Sequence, residues 1–207
     1  MVLAHHAIFT AYGFWLPNDP RGSWSTEVWA QHLRPFGNAT KTQERRSLAH
    51  DAHDRELRLA AKRAMNYPAV KFEGAQAVAV GNGFDQILAI LQARVLACAI
   101  QPDHIHMVIL RHRETIEQVV GFLKRAATRE LNKRSIHPLA AFRNKRGAVP
   151  TPWADGGWHR FLNSEADILE AIGYVEENPV KSGRRAQRWS FVERFVPRGG
   201  TSRGRDG

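Results

Sequence analysis

The chain has 207 residues, 43% of them hydrophobic and 24% charged, and this composition predicts one globular domain with its own core. Thirty Lys and Arg residues against twenty Asp and Glu give a net charge of +10, which favours a polyanionic partner such as nucleic acid. The single cysteine, Cys98, excludes an internal disulfide and a cysteine zinc site, and no apolar run reaches the length of a membrane span.

The N-terminal third predicts one strand followed by a polar segment. HHAIFTAY (5–12) has the short alternation of a strand, and GFWLPNDPRGSW (13–24) has the composition of a structured loop. Residues 42–66 predict a surface helix that is charged nearly all round. We therefore expect residues 26–70 to form a charged insertion after the first strand.

The middle of the chain predicts a helix and then an antiparallel hairpin. The helix runs from about Gly74 to Gln92, although GNG at 81–83 interrupts its sequence. ARVLACAI (93–100) predicts a strand, and a turn at Gln-Pro-Asp leads into the returning strand of QPDHIHMVIL (101–110).

The C-terminal half predicts two helices separated by a loop and a short strand. Residues 114–133 have apolar residues at helical spacing, 135–157 are loop-like, and GWHRFLN (157–163) predicts the last strand. The final helix begins at Ser164, where Asp167 completes a capping box, and Pro179 is expected to end it soon afterwards.

The order strand, helix, strand, strand, helix, strand predicts an α+β ferredoxin-like sandwich, with an antiparallel sheet and the helices on one face. We expect residues 1–195 to form a single domain and the basic residues 196–207 to form a disordered tail.

Two histidines interrupt the apolar strand of the hairpin. His104 and His106 are two residues apart and therefore share one face, opposite Ile105 and Met107. Two imidazoles at this spacing can bind one metal ion. The alternative is a pair of hydrogen-bonded structural histidines, which is the commoner role of an H-x-H triplet.

Tyr174 and Asn178 lie one turn apart on the final helix and share a face. A phenol can attack a phosphodiester and form a covalent intermediate, and the Asn can give a metal an oxygen ligand beside two imidazoles. The alternative is a tyrosine that packs its ring and an asparagine that caps the helix.

The sequences DHIHMVI and YVEENPVKSG together resemble those of the HUH single-tyrosine transposases. The branch that is most similar is that of the REP-associated tyrosine transposases, which FTAYGFWLPNDPRGSW and WHRFLNSEADILEAIGYVEENPVKSG also resemble. The resemblance covers roughly residues 5–25 and 74–195. The chain departs from the family pattern at Arg184, where a hydrophobic residue is common, and in the length of the insertion.

This resemblance implies a ferredoxin-like fold, a transposase activity and a set of site residues. It implies Mg²⁺ or Mn²⁺ bound by His104, His106 and Asn178, and Mn²⁺ is the better match to imidazole ligands. It implies that Tyr174 cuts single-stranded DNA to give a 5′-phosphotyrosine and a free 3′-hydroxyl, and that a hydroxyl later rejoins the strands. The expected substrates are hairpins at repeated palindromes.

Clustered basic residues predict contacts with the DNA backbone. One cluster lies on the helix 114–133, a second follows the final helix, and one arginine lies in the first loop. In chain order these are Arg21, Lys124, Arg125, Arg129, Lys133, Lys181, Arg184 and Arg185. The alternative is a set of solvated helix faces. Four loop tryptophans either stack on unpaired bases or close loops; they are Trp15, Trp24, Trp153 and Trp158.

Two other functions stay open at this point. One is a ferredoxin-like module that binds structured DNA or RNA without cutting it, and the other is a metal-dependent nuclease that uses water instead of Tyr174. The sequence predicts a cytoplasmic, nucleoid-associated protein without a membrane anchor, and leaves open a monomer or a homodimer.

Overall fold

The computed structural model describes residues 1–14, 16–17, 31–37 and 54–197. The strands are β1 (Ala4–Thr10), β2 (Val95–Ile100), β3 (His104–Leu110) and β4 (Trp158–Leu162). The helices are α1 (Arg55–Arg63), α2 (Ala75–Leu91), α3 (Ile116–Lys133) and α4 (Glu165–Lys181), and short 3-10 turns lie at Gln31–Phe36 and Ala140–Phe142. No helix in these described ranges is both long enough and apolar enough to cross a membrane.

The four strands form one antiparallel sheet in the order β2-β3-β1-β4. This order, with α2 between β1 and β2 and α3 between β3 and β4, confirms the predicted α+β ferredoxin-like fold. The chain pairs β1 with β3 so that Ile8 lies opposite His106 and Thr10 opposite His104. Strand β3 is therefore internal, and both of its neighbours bring side chains to its two histidines.

One face of the sheet packs against α2 and α3 and forms the main hydrophobic core. Strand residues that alternate along β1 and β3 point to this side, among them Phe9, Ile105 and Met107, all fully buried. The predicted apolar stripe of α3 faces the same core, and Thr115 begins the helix with a capping box. Burial of these side chains is the principal stabilising contribution on this side.

In the described part of the chain, α4 is the helix that packs against the opposite face of the sheet, so the prediction that all helices lie on one face is wrong. Ile168, Ala171 and Val175 of α4 contact Val108 and Leu162 of the sheet. Strand β2 is buried along its whole length because helices cover it on both faces. An apolar stripe specifies that a helix packs on the sheet, but it does not specify the face.

Helix α2 continues through the glycines that interrupt its sequence pattern. A Cβ on Gly83 would lie 2.7 Å from the backbone of Ala127, and a Cβ on Gly81 would clash with the ring of Trp189. These glycines therefore allow α2 to approach α3 and the chain beyond α4 closely, at the cost of helix propensity.

Helix α4 starts at the predicted capping box of Ser164 and Asp167 but ends later than predicted. Pro179 lies inside the helix and is buried, and the helix continues to Lys181 before Gly183 adopts a φ of 72°. Proline has no N–H, so Pro179 leaves one intrahelical hydrogen bond unmade, and the helix nevertheless continues for two more residues.

After α4, residues 184–197 lie along the outer edge of β2. The side-chain amide of Gln187 donates to the carbonyl of Ile100 and accepts from its N–H, both at 2.8 Å. Further along, Glu193 donates its N–H to the carbonyl of Val95 at 2.8 Å, and its carboxylate pairs with Arg94. This segment thereby satisfies backbone groups of an edge strand.

The predicted insertion is only partly described. The helix expected over 42–66 occurs as the shorter α1, which Asp54 caps at its N-terminus, while residues 26–30 and 38–53 lie outside the described residues. Residues 198–207 of the predicted tail also lie outside them. The single domain over 1–195 and the disordered tail stay predictions.

Candidate functional site

His104 and His106 lie on the face of the sheet that α4 covers, as the alternation of β3 predicts. Their ring centroids are 4.8 Å apart, and the rings meet edge to face. His106 is buried, whereas His104 is partly exposed at the start of the strand. The Nδ1 of His104 lies 2.7 Å from a carboxylate oxygen of Asp103, a contact that favours a proton on Nδ1 and a lone pair on Nε2.

A third histidine, His6 of β1, belongs to the same cluster and was missed in the sequence. Its Nε2 lies 3.1 Å from Nδ1 of His106, and both side chains are buried. The signal was available in principle, because β1 neighbours β3 in a ferredoxin-like sheet and His6 points to the face opposite Ala7 and Phe9.

Tyr174 lies in α4 above these histidines. Its ring centroid is 5.4 Å from that of His106 and 5.7 Å from that of His6, and both contacts are edge to face. The side chain is half-buried, since it flanks the apolar stripe that seats α4 on the sheet. The helix thus holds a phenol against two imidazoles of its own chain.

Asn178 lies one turn beyond Tyr174 and contacts the same histidine. Its Nδ2 is 3.3 Å from Nε2 of His106, and its Oδ1 accepts a hydrogen bond of 3.2 Å from Nε2 of Gln101. Gln101 is buried in the turn before β3 and is a second residue that the sequence did not indicate. Both nitrogens of His106 therefore have partners, one in β1 and one in α4.

The buried histidines of the cluster are neutral at physiological pH. Burial lowers the pKa of His106 well below its usual range, and the nearby His104 and His6 lower it further. Burial also lowers the pKa of His6, to about 4, with a smaller contribution from Arg160. Neutral imidazoles keep a lone pair for a proton or a metal ion.

His106 and Asn178 lie close enough to be neighbouring ligands of a divalent cation, provided that the Asn178 amide turns over. Adjacent ligands of an octahedral ion at about 2.1 Å lie about 3 Å apart, which is close to the 3.3 Å between Asn178 and Nε2 of His106. The Asn178 oxygen must face the ion, so the paired amides of Asn178 and Gln101 must turn over together. In the described ranges, no group of three or more His, Cys, Asp or Glu residues is arranged to hold a metal ion.

Comparison with known families adds an independent finding. Residues 64–156 match the family described as "Transposase IS200 like". The match shows that these residues are similar to that family. The match confirms the family resemblance inferred from the sequence, and its range contains α2, β2, β3 and α3 with both predicted histidines, but ends before Tyr174 and Asn178.

Two solved structures are also similar to this chain. One is a REP-associated tyrosine transposase bound to a REP hairpin, with a TM-score of 0.43 and 12% identity over 63% of this chain and 87% of the other. The second is a candidate transposase from Deinococcus radiodurans, with a TM-score of 0.36 and 11% identity over 90% of this chain and 94% of the other. No curated protein matches the sequence.

The predicted DNA-binding residues that the structure describes lie on two different sides of the sheet. Arg125, Arg129 and Lys133 are exposed on α3, on the side opposite the histidines. Lys181, Arg184 and Arg185 are exposed at the end of α4, on the same side as the histidines, and Lys181 pairs with Glu177 at 2.6 Å. Arg21 lies outside the described residues.

Lys124 differs from the other predicted DNA-binding residues because its ammonium group is already engaged. It donates to the carbonyls of Ala154 and Gly156 at 2.8 and 2.6 Å. Burial lowers the pKa of Lys124 to about 8. These contacts hold the loop before β4 against α3, so the prediction that Lys124 binds DNA is not supported by its position.

The predicted tryptophans also differ in their surroundings. Trp153 is buried among Phe9, Phe72 and Phe84, and its indole N–H donates to the Lys124 carbonyl, which makes it a core residue. Trp158 is half-buried on β4, 6.4 Å from the His6 ring, on the histidine side. Trp15 and Trp24 lie outside the described residues.

Proposed function

We propose that this chain is a metal-dependent single-stranded DNA endonuclease and strand transferase that acts on hairpin or palindromic DNA through a 5′-phosphotyrosine. The observation that carries the proposal is the convergence of Tyr174, His106 and Asn178 within one chain, with His104 beside them. The IS200-like match over residues 64–156 supports a transposase.

Tyr174 is the nucleophile in this proposal. Its phenolic oxygen forms a bond to the phosphorus while the bond from phosphorus to the 3′ oxygen breaks. The phenol loses its proton to solvent, and the departing 3′ oxygen gains one. The edge-to-face contacts with His6 and His106 restrict the ring, so the hydroxyl is held in one region before DNA binds.

His104, His106 and Asn178 are the ligands in this proposal, with Mn²⁺ or Mg²⁺ as the cation. When bound, the cation polarises the scissile phosphate and offsets the charge that develops on it. Burial keeps the pKa of His106 low, and Asp103 contacts Nδ1 of His104, so each ring would have a lone pair with which to hold the cation. Burial of Gln101 limits the positions that the Asn178 amide can take.

In this proposal, each chain forms the site from its own residues. Tyr174 lies against the histidines of its own sheet, and α4 packs on β2 and β3 of the same chain. This supports cleavage in which each copy of the chain uses its own tyrosine, and a monomer that is competent without a partner. The exposed Lys181, Arg184 and Arg185 are placed to contact the DNA backbone beside Asn178.

The test is the formation of a covalent adduct. Labelled single-stranded hairpin DNA is incubated with the protein and Mn²⁺, denatured and separated by size. We expect wild type to form a protein–DNA adduct and Tyr174→Phe to form none. Tyr67→Phe is the matched control, because Tyr67 packs against Tyr12 and Phe142, away from the histidines.

Two outcomes would replace this proposal. If wild type retards the DNA but forms no adduct, the chain is a binding module. If cleavage survives Tyr174→Phe, a water molecule is the nucleophile and the chain is a nuclease.

A further inference from the structure

His6 contacts His106 through a buried nitrogen-to-nitrogen hydrogen bond, and the proposed reaction gives His6 no role. The two residues lie on adjacent strands and are offset by two positions, since Ile8 is the residue opposite His106. This diagonal arrangement brings Nε2 of His6 to 3.1 Å from Nδ1 of His106 in a buried setting. Hydrogen bonds between buried polar groups fix orientation, because leaving either group unpaired is unfavourable.

The contacts of His106 determine which nitrogen can carry its proton. A neutral imidazole has one N–H and one lone pair. The amide Nδ2 of Asn178 donates to Nε2 of His106, so Nε2 is the acceptor and Nδ1 carries the proton. Nδ1 then donates to Nε2 of His6. The chain of donors thus runs from Gln101 through Asn178 and His106 to His6.

The nitrogen that carries the proton of His106 determines whether this residue can bind a metal ion at Nε2. Only the form of His106 with its proton on Nδ1 offers a lone pair at Nε2, beside Asn178. If the proton moved to Nε2, that nitrogen could not bind a cation. Within the described residues, His6 provides the hydrogen-bond acceptor for the Nδ1 proton.

We infer that His6 is a positioning residue that holds the proton of His106 on Nδ1, and so keeps Nε2 available to a divalent cation. The inference rests on the proposed metal-dependent function. The surroundings of His6 support it, because the rings of Tyr174 and Trp158 pack edge to face against the His6 ring and restrict its orientation. If the side chain at position 6 has no hydrogen-bond acceptor, the Nδ1 proton of His106 is buried and unpaired. This favours the tautomer of His106 with its proton on Nε2.

The first experiment uses the unmodified chain without metal or DNA. Nitrogen-15 chemical shifts of the histidine rings report which nitrogen carries the proton. We expect His106 to be protonated on Nδ1 in wild type. Protonation on Nε2 in wild type would overturn the inference, whether or not any variant folds.

The second experiment compares Mn²⁺ binding by variants, measured by electron paramagnetic resonance without DNA. We expect His6→Phe to weaken Mn²⁺ binding by about 10- to 100-fold, the range for loss of a residue that orients a metal ligand. His6→Gln should restore most of the affinity, because its side-chain oxygen can accept the proton. His5→Phe is the matched control, since His5 lies on the opposite face beside His159 and Phe161.

The outcomes separate this inference from the proposed function. A folded His6→Phe that binds Mn²⁺ as tightly as wild type overturns the inference, even if wild type forms the DNA adduct. If the expected proton position and Mn²⁺ affinities are found but wild type forms no adduct, the inference holds and the proposed reaction fails.

Discussion

The two faces of the sheet carry similar ring clusters with different chemistry. On the α2–α3 face, Phe9 packs against Phe84 and Trp153 at centroid distances of 6.0 and 5.7 Å. On the α4 face, His106 packs against His6 and Tyr174 at 5.3 and 5.4 Å. The spacing of the rings is nearly the same, but the second cluster contains ring nitrogens and a hydroxyl, and α4 covers it. The stabilising core and the proposed chemistry are therefore separated by one strand layer.

The largest expected effects come from two separate substitutions in β3, one on each face of the strand. We expect His106→Ala to reduce DNA cleavage by more than about 100-fold, because loss of an orienting neighbour alone costs about 10- to 100-fold. Most of the salt-sensitive DNA binding should remain. We expect Met107→Ala to lower the free energy of unfolding by about 2–5 kcal/mol and to leave the folded fraction active.

Cleavage assays on hairpin DNA, band retardation and denaturant unfolding of both variants measure this difference. Loss of both DNA binding and folding in His106→Ala would mean that this histidine is structural and that the two faces do not divide their roles.

Gln101→Leu tests whether the α4 face depends on its buried polar contacts. The substitution keeps the volume but removes the side-chain amide that pairs with Asn178 and that, after both amides turn over, would hold the oxygen of this proposed ligand toward the cation. We expect the Mn²⁺ concentration for half-maximal cleavage to rise by about 10-fold or more. Gln118→Leu, an exposed change in the α3 cap, is the control that should leave this concentration unchanged.

The smallest effect that we expect is a difference between the two basic clusters in the salt dependence of DNA affinity. Neutralising Lys181, Arg184 and Arg185 together should lower DNA affinity and reduce the slope of log affinity against log salt by about 2, if all three contact phosphates of a single strand. Neutralising Arg125, Arg129 and Lys133 should reduce the slope less, because these residues lie on the opposite side of the sheet. Equal reductions would show that DNA contacts both faces.

Periodicity in the sequence was sufficient to predict the elements and the faces of their residues. The alternation of β3 placed His104 and His106 together, and the stripe of α3 predicted its buried side. It could not assign α4 to the second face, because an apolar stripe is compatible with either side of a sheet. The end of α4 was also predicted too early, since Pro179 is accommodated in its last turn.

The contacts that complete the candidate site depend on strand order and on turns, which local patterns do not encode. His6 reaches His106 only because β1 pairs with β3, and Gln101 reaches Asn178 only because α4 crosses above the hairpin turn. The position of Lys124 was misjudged for the same reason. Its charge predicts a side chain exposed to solvent, but its ammonium group donates to two loop carbonyls that are distant in sequence.

The segment that follows α4 also limits how two copies of this chain could associate. Gln187 and Glu193 bind the backbone of β2 on the far side of the sheet from β4, so α4 is anchored at both of its ends. A domain-swapped dimer that exchanged α4 would have to detach this segment and leave the β2 edge bare. Shortening the chain to end after Gly183 would remove that barrier, and would favour exchanged or aggregated forms over the packing of α4 on its own sheet.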